Sequence, residues 1–251
     1  MKNINALLAT IFLFITSSTT LFAQEEVERS LGDFKAVSID FGIQAELLKG
    51  SSNKVELVIN GIKENKVTSE IVDGQLLLSF KGTNRLDGVS VSAKIYTKNA
   101  IESILVNNES TLSVKDAPVA STLKIVVTTD SKLDMTAKTQ SAVVSVGRSA
   151  KVQLAIEANE LDVNISGKAR LDITGKVETL KVNAKNSGTY KGYGLQCKSL
   201  EAQASGYGRM EVSVSESLIA NVVSGGKVYY KGDPTLEANG TSSGTIEKAV
   251  D

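Results

Sequence analysis

A repeat of about 19 residues runs through most of the chain and constrains its fold more than any other feature. Between residues 104 and 246 an alternating apolar segment, a short polar turn and a second alternating segment recur eight times. The first segments open at Ile104, Leu123, Ala142, Leu161, Leu180, Leu200, Leu218 and Leu236. The second segments open at Leu112, Leu133, Val152, Leu171, Tyr190, Met210, Val228 and Ile246. Two apolar columns that advance at one period indicate coils stacked on each other.

The alternation within each segment has a period of two, which is typical of strands rather than helices. Two short strands and two turns account for one repeat, so each coil places one strand on either side of a thin core. We therefore predict an all-β protein, a parallel β-helix of about eight two-strand coils, right-handed by the crossover rule. Small inward residues suit such a core, and the chain supplies Ala142, Ala184, Ala202, Ala204 and Ala220.

The region before the repeats is also rich in strand signals. An alternating pattern begins at Phe34, and Asp73-Gly74 between two apolar segments is typical of a hairpin. We predict one domain over residues 34–251, in which residues 34–100 form an antiparallel β cap and residues 101–248 form the coils. Residues 24–33 are charged, and we expect them to be a flexible lead.

The N-terminus resembles a secretory leader. Lys2 is followed by an uncharged stretch from Ile4 to Phe22, and Ala23 offers a small residue for cleavage. A retained membrane anchor is the alternative, although five consecutive Ser and Thr residues dilute the stretch. Removal of residues 1–23 takes away Lys2 alone among charged residues, which leaves 27 basic and 28 acidic residues. A net charge of −1 gives no overall attraction for nucleic acid or anionic membrane.

Missing residue types exclude several kinds of site. The chain has no His and no Trp, so a His-based catalytic triad, a His-ligated zinc and sugar stacking on tryptophan are all excluded. Cys197 is the only cysteine, so no intramolecular disulfide forms, and we expect it to be a small packing residue near the corner between coils five and six. We predict no cofactor and no metal.

Tyrosines provide the best candidate binding surface, since five of the six lie within about 40 residues: Tyr190, Tyr193, Tyr207, Tyr229 and Tyr230. Tyr193 and Tyr207 each lie between two glycines, which places them on corners. Together with Tyr229 they are our candidates for contact with a glycan or a protein, because tyrosine offers a large area and a hydroxyl. Tyr190 and Tyr230 fall on the inward column, so we expect them in the core.

An enzyme acting on acidic polysaccharides is the competing interpretation, because such enzymes use paired carboxylates. Asp134, Asp172, Glu211 and Lys191 fall on comparable outward positions, but the carboxylates belong to coils that are not adjacent. A solvated sheet face is the favoured interpretation. Ser-Gly recurs at Ser166, Ser187, Ser205 and Ser224, and a corner that needs glycine dihedrals explains it better than a ligand groove does.

The pattern as a whole resembles the bacterial head GIN domain family, which is described as an auto-transporter adhesin. The resemblance is carried by residues 34–47, by Val72-Asp73-Gly74 with the apolar run to Leu78, and by residues 95–104 leading into the Ser-Gly coils. It implies export in Bacteroidetes-type bacteria and a β-helical fold, and it provides no catalytic residues. A translocator barrel has no room after Ile246, so we expect that the chain does not secrete itself across an outer membrane and that it either resides in the periplasm or is exported by another route.

We therefore expect a non-enzymatic exported protein that binds or adheres at the envelope, in the periplasm or on the surface of a Gram-negative bacterium. A polysaccharide-processing enzyme and a purely structural periplasmic protein are the alternatives. The expected partners are a glycan or an envelope protein, with no nucleic acid and no membrane span after leader removal. The open ends of a β-helix also invite a homodimer.

Overall fold

The computed structural model describes residues 24–82, 88–241 and 243–249, so the predicted leader lies outside the described residues. Within those ranges the chain forms nineteen strands, one 3-10 turn at Glu64–Lys66 and no α-helix. The strands are β1 (Glu25–Ser30), β2 (Ala36–Ile39), β3 (Gln44–Lys49), β4 (Lys54–Asn60), β5 (Val67–Val72), β6 (Gln75–Phe80), β7 (Ser90–Thr97), β8 (Ile101–Val106), β9 (Thr111–Val114), β10 (Val119–Val127), β11 (Lys132–Lys138), β12 (Ser141–Val146), β13 (Lys151–Ser166), β14 (Arg170–Lys185), β15 (Thr189–Ala204), β16 (Arg209–Val222), β17 (Lys227–Lys231), β18 (Thr235–Gly240) and β19 (Thr245–Lys248).

Eight coils stack in parallel over the repeat region, which confirms the predicted architecture. Each coil gives one strand to a first sheet and one to a second sheet. Coil 1 is β8 and β9, coil 2 is β10 and β11, coil 3 begins with β12, and coil 8 is β18 and β19. Each of β13 to β16 spans two coils, because its first part lies in the second sheet of one coil and the rest lies in the first sheet of the next.

The predicted apolar columns are the inward columns of the two sheets. Only the predicted alignment of the first repeat with the second differs from the structure. Leu161 is opposite Leu180 in the first sheet, and Leu171 is opposite Tyr190 in the second. The alignment of the first repeat with the second was wrong by two residues, since Ile104 is opposite Ile125 and not Leu123. The cause is the linker between β9 and β10, which contains a proline and breaks the pairing between β8 and β10 after Val119.

The five predicted inward alanines are all buried: Ala142, Ala184, Ala202, Ala204 and Ala220. Larger side chains from both sheets fill the rest of the interior, so the core is continuous from the N-terminal strands to coil 7. With no disulfide available, burial of these apolar columns and the pairing of the coils hold the chain together.

Two further coils precede the eight, and sequence reasoning did not identify them. The strands β2 and β3 pair in parallel with β8 and β9, and β6 and β7 pair in parallel with β2 and β3. The antiparallel part of the N-terminal region consists of the pairs β5–β6, β4–β7 and β1–β4. These antiparallel strands close the N-terminal end of the stack, but the predicted extent of the antiparallel cap, residues 34–100, was too wide, since β2, β3, β6 and β7 also pair in parallel as coil strands.

The segment predicted as a flexible lead forms a strand. β1 pairs with β4 over six residues, from Glu25 opposite Ile59 to Ser30 opposite Lys54. Arg29 ties it to the cap, since its guanidinium donates to the carbonyl of Val67 at 2.8 Å and to the hydroxyl of Ser69 at 2.9 Å. The sequence of β1 lacks the apolar alternation that predicts a strand, because only one apolar side chain, Val27, packs inward and the others are charged or polar.

Between β2 and β3 and in coils 1 to 7, the passage from the first sheet to the second is a two-residue turn in which both residues have positive φ, as in a type I′ turn. The pairs are Phe41–Gly42, Asn108–Glu109, Thr129–Asp130, Arg148–Ser149, Gly167–Lys168, Asn186–Ser187, Gly206–Tyr207 and Ser224–Gly225. Adjacent turns are hydrogen-bonded, for example from the Ser149 amide to the Gly167 carbonyl at 2.9 Å. We call this stack of turns the turn edge. Three glycines of the recurring Ser-Gly pairs, Gly167, Gly206 and Gly225, take positive φ in these turns, and the fourth, Gly188, has no room for a Cβ, which would lie 2.7 Å from the Ile165 carbonyl oxygen.

Candidate ligand-binding site

Tyr193 lies where the stacking of the coils is interrupted. The pairing of β14 with β15 shifts by one residue between Asp172 and Thr174, so that Gly192 and Tyr193 together lie opposite the single residue Ile173. This is a β-bulge, a device that turns a side chain away from its regular direction. Tyr193 is thus inside a strand, and the expectation that it lies at a corner was wrong.

The bulge is even larger on the side of coil 6. The register of β16 passes directly from Val212 to Ser213, whereas β15 holds three additional residues, 193–195, over the same step. The Ser213 hydroxyl donates to the carbonyl of Tyr193 at 2.8 Å, which gives this carbonyl the partner that a regular ladder would have supplied. The displaced backbone is therefore held in place by a side chain of the next coil.

The core beneath the bulge explains why it forms. The ring of Tyr190 is fully buried, as predicted, and it folds against the backbone of Gly192. A Cβ atom at Gly192 would stand 2.2 Å from a ring carbon of Tyr190, so only glycine fits. Tyr190 takes the place that Leu171 and Met210 occupy in the neighbouring coils, and its longer side chain requires the local widening.

Tyr193 and Tyr229 each carry a cation over the ring. Lys231 Nζ lies 5.4 Å from the ring centroid of Tyr193, and Arg209 Cζ lies 4.4 Å from that of Tyr229. Arg209 also donates to Oε1 of Glu211 from Nη2 at 2.9 Å and from Nε at 3.2 Å. We call Tyr193, Arg209, Glu211, Tyr229 and Lys231 the tyrosine patch. It is an aromatic surface with fixed charges on the outer face of the second sheet.

The electrostatics of the tyrosine patch suit binding. Partial burial raises the pKa of Tyr193, and the negative charge of Glu211 raises it further. The hydroxyl therefore stays protonated and can donate a hydrogen bond. The hydrogen bond to Glu211 raises the pKa of Arg209, which keeps the guanidinium charged. The patch can therefore offer apolar ring faces, a phenol donor and a permanent cation at one place.

The third candidate, Tyr207, lies apart from this arrangement, at the turn edge. Its side chain is 76% exposed, its φ is +64°, and its ring lies against Gly225 in the turn of the next coil. The fifth tyrosine, Tyr230, which we expected in the core, packs against it but keeps part of its surface exposed. The structure brings two of the three candidates together and leaves Tyr207 as a separate exposed ring.

Sequence reasoning did not assign Arg209 or Lys231 to the patch. A signal was available in the repeat length, which changes from 19 to 20 and then to 18 residues at coils 5 to 7. The 18-residue register places Glu211 opposite Tyr229 and Ser213 opposite Lys231. A shift in the period of a solenoid therefore indicates where residues outside the consensus come together.

A cavity of about 540 Å³ opens beside the patch, at the corner that leads into the next coil. Its lining includes Lys231, Ser213 and Cys197. The thiol of Cys197 is buried and donates to the carbonyl of Ser213 at 3.3 Å, and burial raises its pKa to about 12. Cys197 is therefore a packing residue with a protonated thiol.

A larger cavity of about 780 Å³ lies at the opposite end of the second sheet. Glutamates line it, and Glu46 and Glu56 there are held by lysines, with Lys115 Nζ 2.7 Å from Glu46 and Lys54 Nζ 2.7 Å from Glu56. These hydrogen-bonded lysines lower the pKa of both carboxyls. We favour the smaller cavity as part of a binding site, because it adjoins the tyrosine patch.

The outward carboxylates lie in one row, as predicted from their spacing. Asp134, Asp172 and Glu211 are separated from each other by Gln153 and Lys191 in the intervening coils. Asp172 accepts two hydrogen bonds from the Arg170 guanidinium, at 2.6 and 2.7 Å. Among the described residues, no three His, Cys, Asp or Glu side chains are grouped so that they could hold a metal ion.

Comparison with known proteins places the chain in a family. A family model described as "Putative auto-transporter adhesin, head GIN domain" matches residues 33–234. The chain belongs to the head GIN domain family. Curated proteins give no match to this head GIN chain. In the described part of the chain, no helix has the length and apolar character that crossing a bilayer requires.

Solved structures share the fold of this head GIN chain. A putative adhesin from Parabacteroides distasonis ATCC 8503 is 22% identical with a TM-score of 0.83, and covers 91% of this chain and 98% of its own. One from Parabacteroides merdae ATCC 43184 is 18% identical with a TM-score of 0.83, covering 90% and 96%. A putative lipid binding protein from Parabacteroides distasonis ATCC 8503 is 17% identical with a TM-score of 0.84, covering 90% and 97%. At these identities the likeness shows the fold.

Proposed function

We propose that this head GIN chain is an exported, non-enzymatic binding protein of the Gram-negative envelope or cell surface, and that the tyrosine patch contacts its ligand. The observation that carries the proposal is the bulge that displaces Tyr193 from an otherwise regular sheet. Bulges concentrate at places where a side chain must be re-aimed for function. The adhesin description of the family and of its structural relatives supports a role in binding.

A glycan or an envelope protein is the ligand that the patch fits. Tyrosine rings can lie against the apolar face of a sugar or a peptide side chain while their hydroxyls bond polar groups. The cations of Arg209 and Lys231 are already placed over those rings, so a ligand needs to order few side chains when it binds. The adjoining cavity of about 540 Å³ gives room for a projecting group.

Binding of purified residues 24–251 to envelopes isolated from the source bacterium tests this proposal. The Tyr193→Ala and Tyr229→Ala double variant is expected to bind at least tenfold more weakly, because both rings are lost. Tyr96→Ala is the matched control, since Tyr96 also lies under a lysine, with Lys54 Nζ 5.0 Å from its ring centroid, but belongs to the opposite end of the sheet. Equal binding by all three proteins would exclude the patch as the contact surface.

Two further measurements address the rest of the proposal. Incubation with acidic and neutral polysaccharides should release no new reducing ends, and their release would favour the polysaccharide-processing alternative. Protease treatment of intact cells distinguishes the locations. Loss of the protein beside an untouched periplasmic control would place it on the surface, and protection until the outer membrane is opened would place it in the periplasm.

We also propose a homodimer through the C-terminal end of the stack. Within the described residues, β18 pairs only with β16 and β19 only with β17, so each of these two strands has one unpaired edge. Every residue of β18 is exposed, and unpaired strand edges favour association. Light scattering at high protein concentration should give twice the monomer mass, and a monomer mass would contradict this part.

A further inference from the structure

The structure reveals a row of cations that the net charge of the protein conceals. On the outer face of the second sheet, the residue that begins each strand at the turn edge pairs with its equivalent in the next coil. From coil 2 to coil 7 these residues are Lys132, Lys151, Arg170, Thr189, Arg209 and Lys227. Five of six consecutive coils thus present a cation at the same position. The row is straight because the register between these coils is regular here.

The turns themselves add to this row. Arg148 precedes Lys151 in the turn of coil 3, and Lys168 precedes Arg170 in the turn of coil 4. All seven cations are exposed. Because coils are spaced by about 4.8 Å, the six coils span about 24 Å along the axis of the stack. We call these seven residues the cationic track.

Few carboxylates neutralise the cationic track. Arg170 is paired with Asp172, and Arg209 is paired with Glu211. Among the described residues, none of the other five cations forms an ion pair with a carboxylate. In the turns of coils 2 to 7 the only acidic residue is Asp130. Even with Asp134, Asp172 and Glu211 in the next outward row, this edge holds seven cations against four carboxylates, so the fields of its cations add.

We propose that the cationic track binds a linear acidic polysaccharide laid along the axis of the stack. This inference rests on the proposed binding function and adds the chemical class of its ligand. A straight row with one set of cations per coil suits a polymer that repeats its charge along its length. Because Arg170 and Arg209 are held by carboxylates of this chain, the other five cations are the ones that the carboxylates of such a polymer would meet.

Two observations favour a polysaccharide over duplex nucleic acid. The phosphates of a duplex follow a helical path, with about 3.4 Å of rise per nucleotide along each strand. A straight row of cations of this length can therefore contact only a short arc of them. In addition, the exposed ring of Tyr207 lies in the turn edge two residues before Arg209, and the ring of Tyr229 lies under Arg209. Aromatic rings beside the cations can contact sugar rings between the charges.

Polygalacturonate is the probe for this proposal, with neutral dextran as the comparison polymer. The whole chain from residue 24 should bind polygalacturonate, and affinity should fall as salt rises from 50 to 200 mM. The triple variant Lys132→Gln, Lys151→Gln and Lys168→Gln should bind about tenfold or more weakly. Its slope of log affinity against log salt should be lower by about two to three, because three charge contacts are removed.

The matched control is Lys49→Gln, Lys63→Gln and Lys124→Gln, three exposed lysines that lie off the track and away from the tyrosine patch and its cavity, and that change the net charge equally. This control should keep the affinity and salt slope of the parent protein. Thermal unfolding of both variants should match that of the parent. Equal losses in the two variants, no binding of polygalacturonate, or tighter binding of duplex DNA or anionic vesicles would each overturn the proposal.

The tyrosine variants separate this inference from the proposed function. If the chain binds envelopes through Tyr193 and Tyr229 but does not bind polygalacturonate, the binding function stands and the ligand class is overturned. If polygalacturonate binds through the track but envelopes are not bound, the cationic track stands and the envelope function fails.

Discussion

The middle of the stack and coil 5 use the same architecture in different ways. From Lys151 opposite Arg170 to Ser166 opposite Lys185, β13 and β14 pair without a shift in register. The next strand, β15, keeps its inward column but shifts its register against both neighbours around Tyr193. The comparison shows that the inward apolar residues determine the path of each coil. A local break in the repeat determines which outward side chains of adjacent coils contact each other.

This break disturbs the rest of the stack little because its backbone groups find partners nearby. The Ser213 hydroxyl bonds the Tyr193 carbonyl at 2.8 Å, and the Ser215 hydroxyl bonds the Cys197 carbonyl at 3.3 Å. The regular register resumes in the first sheet, where Leu200 lies opposite Leu218. A solenoid can therefore acquire a binding surface in one coil while its neighbours keep the common pattern.

The largest expected effect comes from the residue that requires the bulge. Tyr190→Ala should lower the free energy of unfolding by about 3–5 kcal/mol, because it removes a fully buried ring and leaves a cavity under Gly192. Denaturant unfolding followed by circular dichroism measures the loss. Tyr230→Ala is the control, since Tyr230 is only partly buried, and its loss should be smaller. Equal losses would show that the core beneath the bulge is no better packed than the C-terminal end.

An increase in the free energy of unfolding is expected when only the hydroxyl of Tyr190 is removed. This hydroxyl is buried and has no hydrogen-bond partner in the structure, which costs about 1–3 kcal/mol. Tyr190→Phe should therefore raise the free energy of unfolding by about 1 kcal/mol or more. Tyr96→Phe is the matched control and should lose stability, because the Tyr96 hydroxyl donates to Glu56 at 3.2 Å. A loss for Tyr190→Phe would instead indicate a buried water bound to this hydroxyl.

A smaller loss of stability is expected when the side chain that hydrogen-bonds the backbone of the bulge is truncated. Ser213→Ala removes the donor to the Tyr193 carbonyl and should cost about 1 kcal/mol. Hydrogen exchange should also become faster in residues 192–195 and remain unchanged in β13. Ser217→Ala, in the first sheet of coil 7, should change the free energy of unfolding by less than about 0.5 kcal/mol. If exchange at the bulge stays slow in Ser213→Ala, the hydroxyl does not hold it in place.

The regular coils could be predicted from the sequence and the bulge could not, for a physical reason. Alternating apolar residues such as Leu161, Val163 and Ile165 carry the coil pattern locally, so their period shows in the sequence. Which outward residues meet depends on register between coils, and one extra residue at Tyr193 changes it. The two N-terminal coils were missed for a related reason, since β2 and β3 are inserted between β6–β7 and β8–β9, out of sequence order.

The last expected effect appears only at alkaline pH and concerns Cys197, which lies between Val177 and Val214 in one inward column. Burial raises its pKa to about 12, whereas an unfolded thiol titrates near about 8.5. Below the lower pKa the thiol is protonated in both states and contributes no pH dependence. Above it only the unfolded thiol ionises, so the folded state loses stability as pH rises toward the higher value.

Replacing Cys197 with valine, the residue type of both neighbours in the column, isolates the contribution of thiol ionisation to the free energy of unfolding. Relative to Cys197→Val, the parent protein should lose about 1.4 kcal/mol between pH 7.5 and pH 9.5, because one pKa unit corresponds to that energy. Urea unfolding of both proteins at the two pH values measures the difference and cancels the titration of tyrosines and lysines. A difference that does not change with pH would mean that the thiol ionises equally in both states. The irregular strand would then be open to solvent at a position where the regular coils are closed.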